Sequence, residues 1–195
     1  MLAEAASLFF ALLLANNIVL SQMLGATPFL GYRQAWPSAI ALSAVTAFVL
    51  VNSSVLSFFL YHWLLLPLDV SYLQLLFCLL IIAALVQAVE IYLLNKQPDK
   101  QRSMGPYLPL IIANCAVLGI SLQTIDLEYG FVFTLVASLG AAAGFALVVI
   151  LFTGLQQRLS WRDIPQAFQG SAIQMINLSL MALAFMGFVG IVQVN

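Results

Sequence analysis

Charge is what this chain has least of. Of its 195 residues, 7% are Asp, Glu, Lys or Arg and one is histidine, against 64% hydrophobic. A water-soluble fold of this length cannot hide that much apolar surface, so the composition excludes a soluble protein and points to an integral membrane one. The two cysteines, Cys78 and Cys115, both fall inside apolar runs, which argues against a disulfide framework. There is no GxGxxG, P-loop, HExxH or CxxC pattern, so dinucleotide, phosphate and zinc chemistry have no support. The start, Met1-Leu-Ala-Glu-Ala5, lacks the basic residues and small-residue cleavage site of a signal peptide, so the first apolar run is expected to be retained.

What is present is a series of six apolar runs, roughly 5–30, 37–60, 72–95, 107–122, 131–155 and 171–192. At about 1.5 Å per residue, each except the fourth is long enough for a hydrocarbon core of about 30 Å. The first run is interrupted by Asn16-Asn17 and by Gly25-Ala-Thr-Pro28; the short fourth carries Pro109 and Asn114-Cys115. Both read as broken helices. Once these runs are placed, residues 1–195 leave no room for a separate soluble domain.

Basic residues are missing from one side altogether. Arg33, Lys96, Lys100, Arg102, Arg158 and Arg162 lie in alternate connections, whereas the others and both termini hold none and carry Glu4, Asp69, Asp126 and Glu128. By the positive-inside rule both termini are expected outside the cytoplasm, in a bacterial inner membrane on the periplasmic side.

The chain also repeats itself. Leu13-Leu-Ala-Asn-Asn-Ile-Val-Leu20 matches Ile111-Ile-Ala-Asn-Cys-Ala-Val-Leu118 at an offset of 98 residues, half the length. Three spans per half make the halves an inverted repeat. The expected fold is all-α: one membrane domain of six transmembrane helices in two inverted three-helix repeats (about 1–97 and 98–195), with helices 1 and 4 broken. Paired broken helices near the midplane are an architecture that forms ion or substrate sites. Asn16, Asn17 and Asn114 could cap half-helices or offer carbonyls to a cation, and Glu90, with Gln87 one turn earlier, is the acid clearly inside a span. Together these four mark a possible ion path. Asn52 and Asn177 read as interhelical hydrogen-bonding residues, Gly140, Gly144, Gly187 and Gly190 as packing positions, and His62, between Tyr61 and Trp63, as an interfacial belt residue. Cys115 is a buried small residue or a ligand; one thiolate alone cannot hold an iron–sulfur cluster.

Five stretches, Leu14-Ala-Asn-Asn-Ile-Val-Leu20, Leu24-Gly-Ala-Thr-Pro-Phe-Leu-Gly31, Val86-Gln-Ala-Val-Glu90, Leu108-Pro-Leu-Ile-Ile-Ala-Asn-Cys-Ala-Val-Leu-Gly119 and Leu180-Met-Ala-Leu-Ala-Phe-Met-Gly187, resemble the A-type membrane subunits of bacterial Rnf electron-transport complexes. One of the subunits of the sodium-pumping NADH:quinone reductase is a more distant match. The resemblance implies pairing with a homologous subunit of opposite topology (the Rnf E type), alongside the other Rnf subunits. It further implies a [2Fe–2S] cluster shared between the two, each giving two cysteines, with electron transfer across the membrane coupled to Na⁺ or H⁺ movement. Cys115 matches one of the implied ligands. Where the family pattern reads Leu-Gly-x-Cys-Pro-Phe, Thr27 stands in place of the other cysteine. No complete active site lies in this chain alone. A secondary transporter without redox chemistry, its site at the midplane asparagines, and a structural subunit that has lost the cluster are the other readings.

Overall fold

The computed structural model describes residues 2–25, 36–96, 111–112, 114–127, 129–159, 168 and 170–188. Those residues are helical apart from short turns, with no strand among them. The helices are α1 (Leu2–Phe10, running on as a π-helical turn over Ala11–Ala15), α2 (Ile18–Ser21) and α3 (Trp36–Leu60, ending in a π turn over Tyr61–Leu65). After them come α4 (Gln74–Lys96), α5 (Cys115–Asp126), α6 (Phe131–Leu159) and α7 (Ser171–Met186).

Three helical stretches are long and apolar enough to cross a bilayer: Trp36–Leu65, Ser71–Asn95 and Phe131–Leu159. Glu4–Ala15, Cys115–Asp126 and Ser171–Met186 are apolar but shorter. The lengths follow from punctuation in the sequence. α4 holds no Gly or Pro over 23 residues, and Pro37 in α3 falls in the first turn, where a missing N–H costs nothing. The α3–α4 connection turns at Pro67 and at Asp69, whose φ is 53°.

α6 and α3 pack along each other and form the centre, with α5 and α4 against α3, and α1 against α6. Their shared core includes Leu50, Ile82, Val117, Phe145 and Val148. Within the most apolar stretch of each long helix, 56% of α6 and 44% of α3 is buried but 17% of α4, so α4 is the peripheral one. Buried hydroxyls mostly bond back to their own helix, as Ser121 does to the Val117 carbonyl and Thr153 to that of Val149.

The expectation that Asn52 bonds between helices is corrected. Its amide donates to the Phe48 carbonyl of the same helix at 2.7 Å, since a short polar side chain in a helix readily reaches the carbonyl one turn back. A buried contact that does cross between helices is Ser53 Oγ to Ser121 Oγ, 3.2 Å, joining α3 to α5. The expected glycine packing holds for the pair in α6. A methyl at Gly140 would come within 3.0 Å of the Phe9 carbonyl oxygen. At Gly144 it would meet Asn17 Nδ2 at 2.8 Å and the Leu12 carbonyl oxygen at 3.0 Å. Small residues thus let the first broken helix lie directly on α6.

Candidate functional site

Both repeated motifs interrupt a helix at an asparagine. Asn16 leaves the helical region (φ −106°, ψ 41°) and closes the π turn through its N–H to the Ala11 carbonyl. Asn17 is extended (φ −61°, ψ 112°) and is the N-cap of α2. Its Oδ1 accepts from the Val19 N–H at 3.2 Å, and its Nδ2 donates to the Leu13 carbonyl at 3.1 Å. One buried side chain thereby satisfies a donor after the break and an acceptor before it. Asn114 repeats the cap: it is extended (φ −77°, ψ 104°), buried, and caps α5 through Oδ1 to the Ala116 N–H at 3.0 Å. The cap role pairs Asn17, not Asn16, with Asn114, so the structural repeat runs one residue out of step with the best-matching letters.

The two breaks touch. After α2 the chain reaches Gly25 at φ +77°, a left-handed conformation that favours glycine. A methyl there would run into Asn114 Oδ1 and come within 2.9 Å of the Ala116 methyl. The segment leaving the first break therefore lies on the N-terminal turn of α5, where Cys115 is exposed. Thr27 itself lies outside the described residues. On its other side the first break lines a cavity of about 150 Å³. Leu14, Asn16, Asn17 and Ser21 face Ala182 and Phe185 of α7 across it. Asn16, exposed, is the polar group at its edge, and Ser21 Oγ donates to the Asn17 carbonyl at 2.8 Å. The sequence carries no signal for the α7 wall or for Ser21, because an apolar helix does not show which face it turns to its neighbour.

Glu90 is half-buried on α4 and lies apart from this cavity. The start of α4 lies level with the end of α5, where Gln74 Nε2 donates to Asp126 Oδ1 at 3.3 Å. Sixteen residues separate Gln74 from Glu90 and eleven separate Asp126 from Cys115. At 1.5 Å per residue Glu90 therefore sits about 8 Å beyond the depth of Cys115. His62 is exposed at the end of α3, its ring centroid 4.4 Å from that of Phe58 and its Nδ1 3.2 Å from the Phe58 carbonyl. Through Phe58 it joins an aromatic cluster with Phe59, Trp63 and Phe131.

A family model described as "Rnf-Nqr subunit, membrane protein" matches residues 5–192. The chain belongs to that family. Among its curated relatives is the A-type subunit of the ion-translocating oxidoreductase complex of Shewanella pealeana, 43% identical over 192 residues, which are 98% of this chain and 100% of that protein. The same-named subunit of Pectobacterium atrosepticum is 42% identical over the same shares.

The iron–sulfur centre implied by the resemblance can be set against the residues here. Among the described residues, no group of three or more His, Cys, Asp or Glu stands together as a metal site. Cys115 faces outward at the start of α5, as a ligand offered to a neighbour would. Cys78 is buried in α4 against Ser57 and near the charge of Asp126, at the opposite end of α5. By the α4–α5 register the two thiols stand about 10 Å apart along the bundle, too far to share a metal, which needs both sulfurs within roughly 2.3 Å of it. A four-thiolate cluster taking two cysteines from this chain does not fit.

Proposed function

We propose that this chain is the A-type membrane subunit of an Rnf-type ion-translocating oxidoreductase complex. In this reading it is a six-helix inverted repeat, residues about 1–97 and 98–195, with both termini on the periplasmic side of a bacterial inner membrane. It is seated beside a homologous subunit of opposite topology and the other Rnf subunits. Its broken helices form part of the path for the Na⁺ or H⁺ whose movement is coupled to electron transfer in the complex. The strongest support is the meeting of the two Asn-capped breaks through Gly25 and Asn114.

The chemistry derives from helix ends. A break leaves carbonyl oxygens without onward N–H partners, and at membrane depth such oxygens are ready ligands for a cation or its water. Beside the cavity of about 150 Å³, the carbonyls before Asn16 and the amide oxygen of Asn16 join Asn17 and Ser21 as polar groups facing the apolar Ala182 and Phe185. Asn17 and Asn114 hold the flanking half-helices in place. Glu90, deeper along α4, offers a charge that would balance a cation on the side of residues 97–110. Electron transfer through a cluster shared with the homologous subunit is what the resemblance implies; one suitably placed thiol in this chain does not complete it.

The test is transport by the complex in proteoliposomes, driven by its electron donor. Glu90→Gln and Asn16→Ala are each expected to lower ion movement per electron severalfold while the complex assembles at normal abundance. Unchanged coupling in both variants would remove this chain from the ion path.

A further inference from the structure

Given the reading as an A-type subunit, on which it rests, we infer that this chain holds no four-thiolate [2Fe–2S] centre and serves the complex through scaffold and ion path alone. Shared between two subunits, such a centre takes two of its four thiolates from this chain, which has two cysteines and one histidine to supply them.

Their placement then divides them. Cys115 opens α5 and is exposed. Cys78 faces the interior between α4 and α3, 2% exposed, at the end of the bundle where Gln74 meets Asp126. No side-chain rotation closes the distance of about 10 Å, because each thiol is fixed to a helix whose register is set by packing. The imidazole that could replace a thiolate is farther still. The Ser53–Ser121 contact sets α3 level with α5, and His62 lies nine residues beyond Ser53 while Cys115 lies six before Ser121. The two groups are separated by about 22 Å along the bundle.

The position where the family pattern has its other cysteine is Thr27. A threonine hydroxyl is a hard, neutral oxygen that gives up its proton far less readily than a thiol does, and iron in a sulfide cluster prefers soft thiolate. A partner subunit offering two cysteines would bring the total to three. Cys115 then stands as a small residue at a subunit contact.

The experiment compares the whole detergent-purified complex carrying the wild-type chain, Cys115→Ser or Cys115→Ala. Iron and acid-labile sulfide per complex are measured together with the electron paramagnetic resonance spectrum of the reduced sample. The serine variant keeps nearly the same volume, so it assembles even if the alanine variant is under-packed; size-exclusion chromatography verifies each. Iron, sulfide and spectrum are expected to be the same in wild type and variants. Loss of two irons and two sulfides per assembled complex in either variant would overturn the inference. Failure of the wild-type chain to purify with the other subunits would instead overturn the subunit reading itself.

Discussion

The two helix breaks are built from nearly the same letters and do different work. At the first, Asn17 ties both ends of the interruption, accepting from Val19 and donating to Leu13. The helix restarted there is a single turn, α2, pressed between α6 and α7. At the second, the Asn114 side chain caps the outgoing helix, which runs three turns and begins at the exposed Cys115. The first break borders the cavity shared with α7; the second ends in an exposed cysteine. A duplicated motif thus keeps the way a helix is restarted while the surroundings decide what the restart is for.

The largest expected effects come from the glycines that seat each break. Gly144→Ala puts a methyl against Asn17 Nδ2 and the Leu12 carbonyl, backbone that cannot move aside, and overpacking of this kind costs about 1–3 kcal/mol. Gly25→Ala adds left-handed strain of about 1–2 kcal/mol to its collision with Asn114. By contrast a methyl at Gly119 meets only the flexible ends of Leu24 and Ile18 at 3.1 and 3.4 Å. Thermal midpoints of the purified complex should fall clearly for the first two and little for Gly119→Ala. Equal losses in all three would erase the distinction between seated and merely neighbouring glycines.

A middle-sized effect separates the asparagines directly. Aspartate keeps the capping oxygen but cannot donate, so Asn17→Asp leaves the Leu13 carbonyl unsatisfied and places a charge in a buried site. The lost bond alone costs about 1–3 kcal/mol, with desolvation of the charge in addition. Asn114→Asp retains the capping bond to Ala116, and its charge at the N-terminus of the three-turn α5 is partly offset by the helix dipole. Denaturation midpoints should therefore drop more for Asn17→Asp, and the reverse order would contradict the two-ended tie.

The smallest effect sharpens the register. Asn16→Ala should change stability by no more than about 0.5 kcal/mol, since the residue is exposed and its side chain caps nothing. If the letter-by-letter repeat were the structural one, Asn16→Ala would instead match Asn114→Ala, a lost cap worth about 1 kcal/mol. A chemical-denaturation comparison of the two distinguishes the registers.

The places where the chain breaks were legible because asparagine in an apolar run has few other uses: it favours extended backbone and restarts a helix with its own side chain. The long spans were legible from length and from the absence of Gly and Pro, as in α4. The role of Gly140 and Gly144 was legible in kind, though not the identity of the partner. Two adjacent asparagines gave no sign of which one caps, since either could. Nor could the sequence show that α7 closes the cavity or that Gly25 lies on Asn114. In a membrane protein every face of a helix is apolar, so periodicity, the usual guide to which side meets which, is nearly silent. The expected start of the fourth run at Tyr107 and the expected end of the sixth at Val192, like Thr27, fall outside the described residues.

The double tie at Asn17 also fixes where the subunit can bend. Tilting α2 against α1 would have to rupture the bonds to Leu13 and Val19 together, and Gly144 leaves that joint no slack, so it is an elbow set in place.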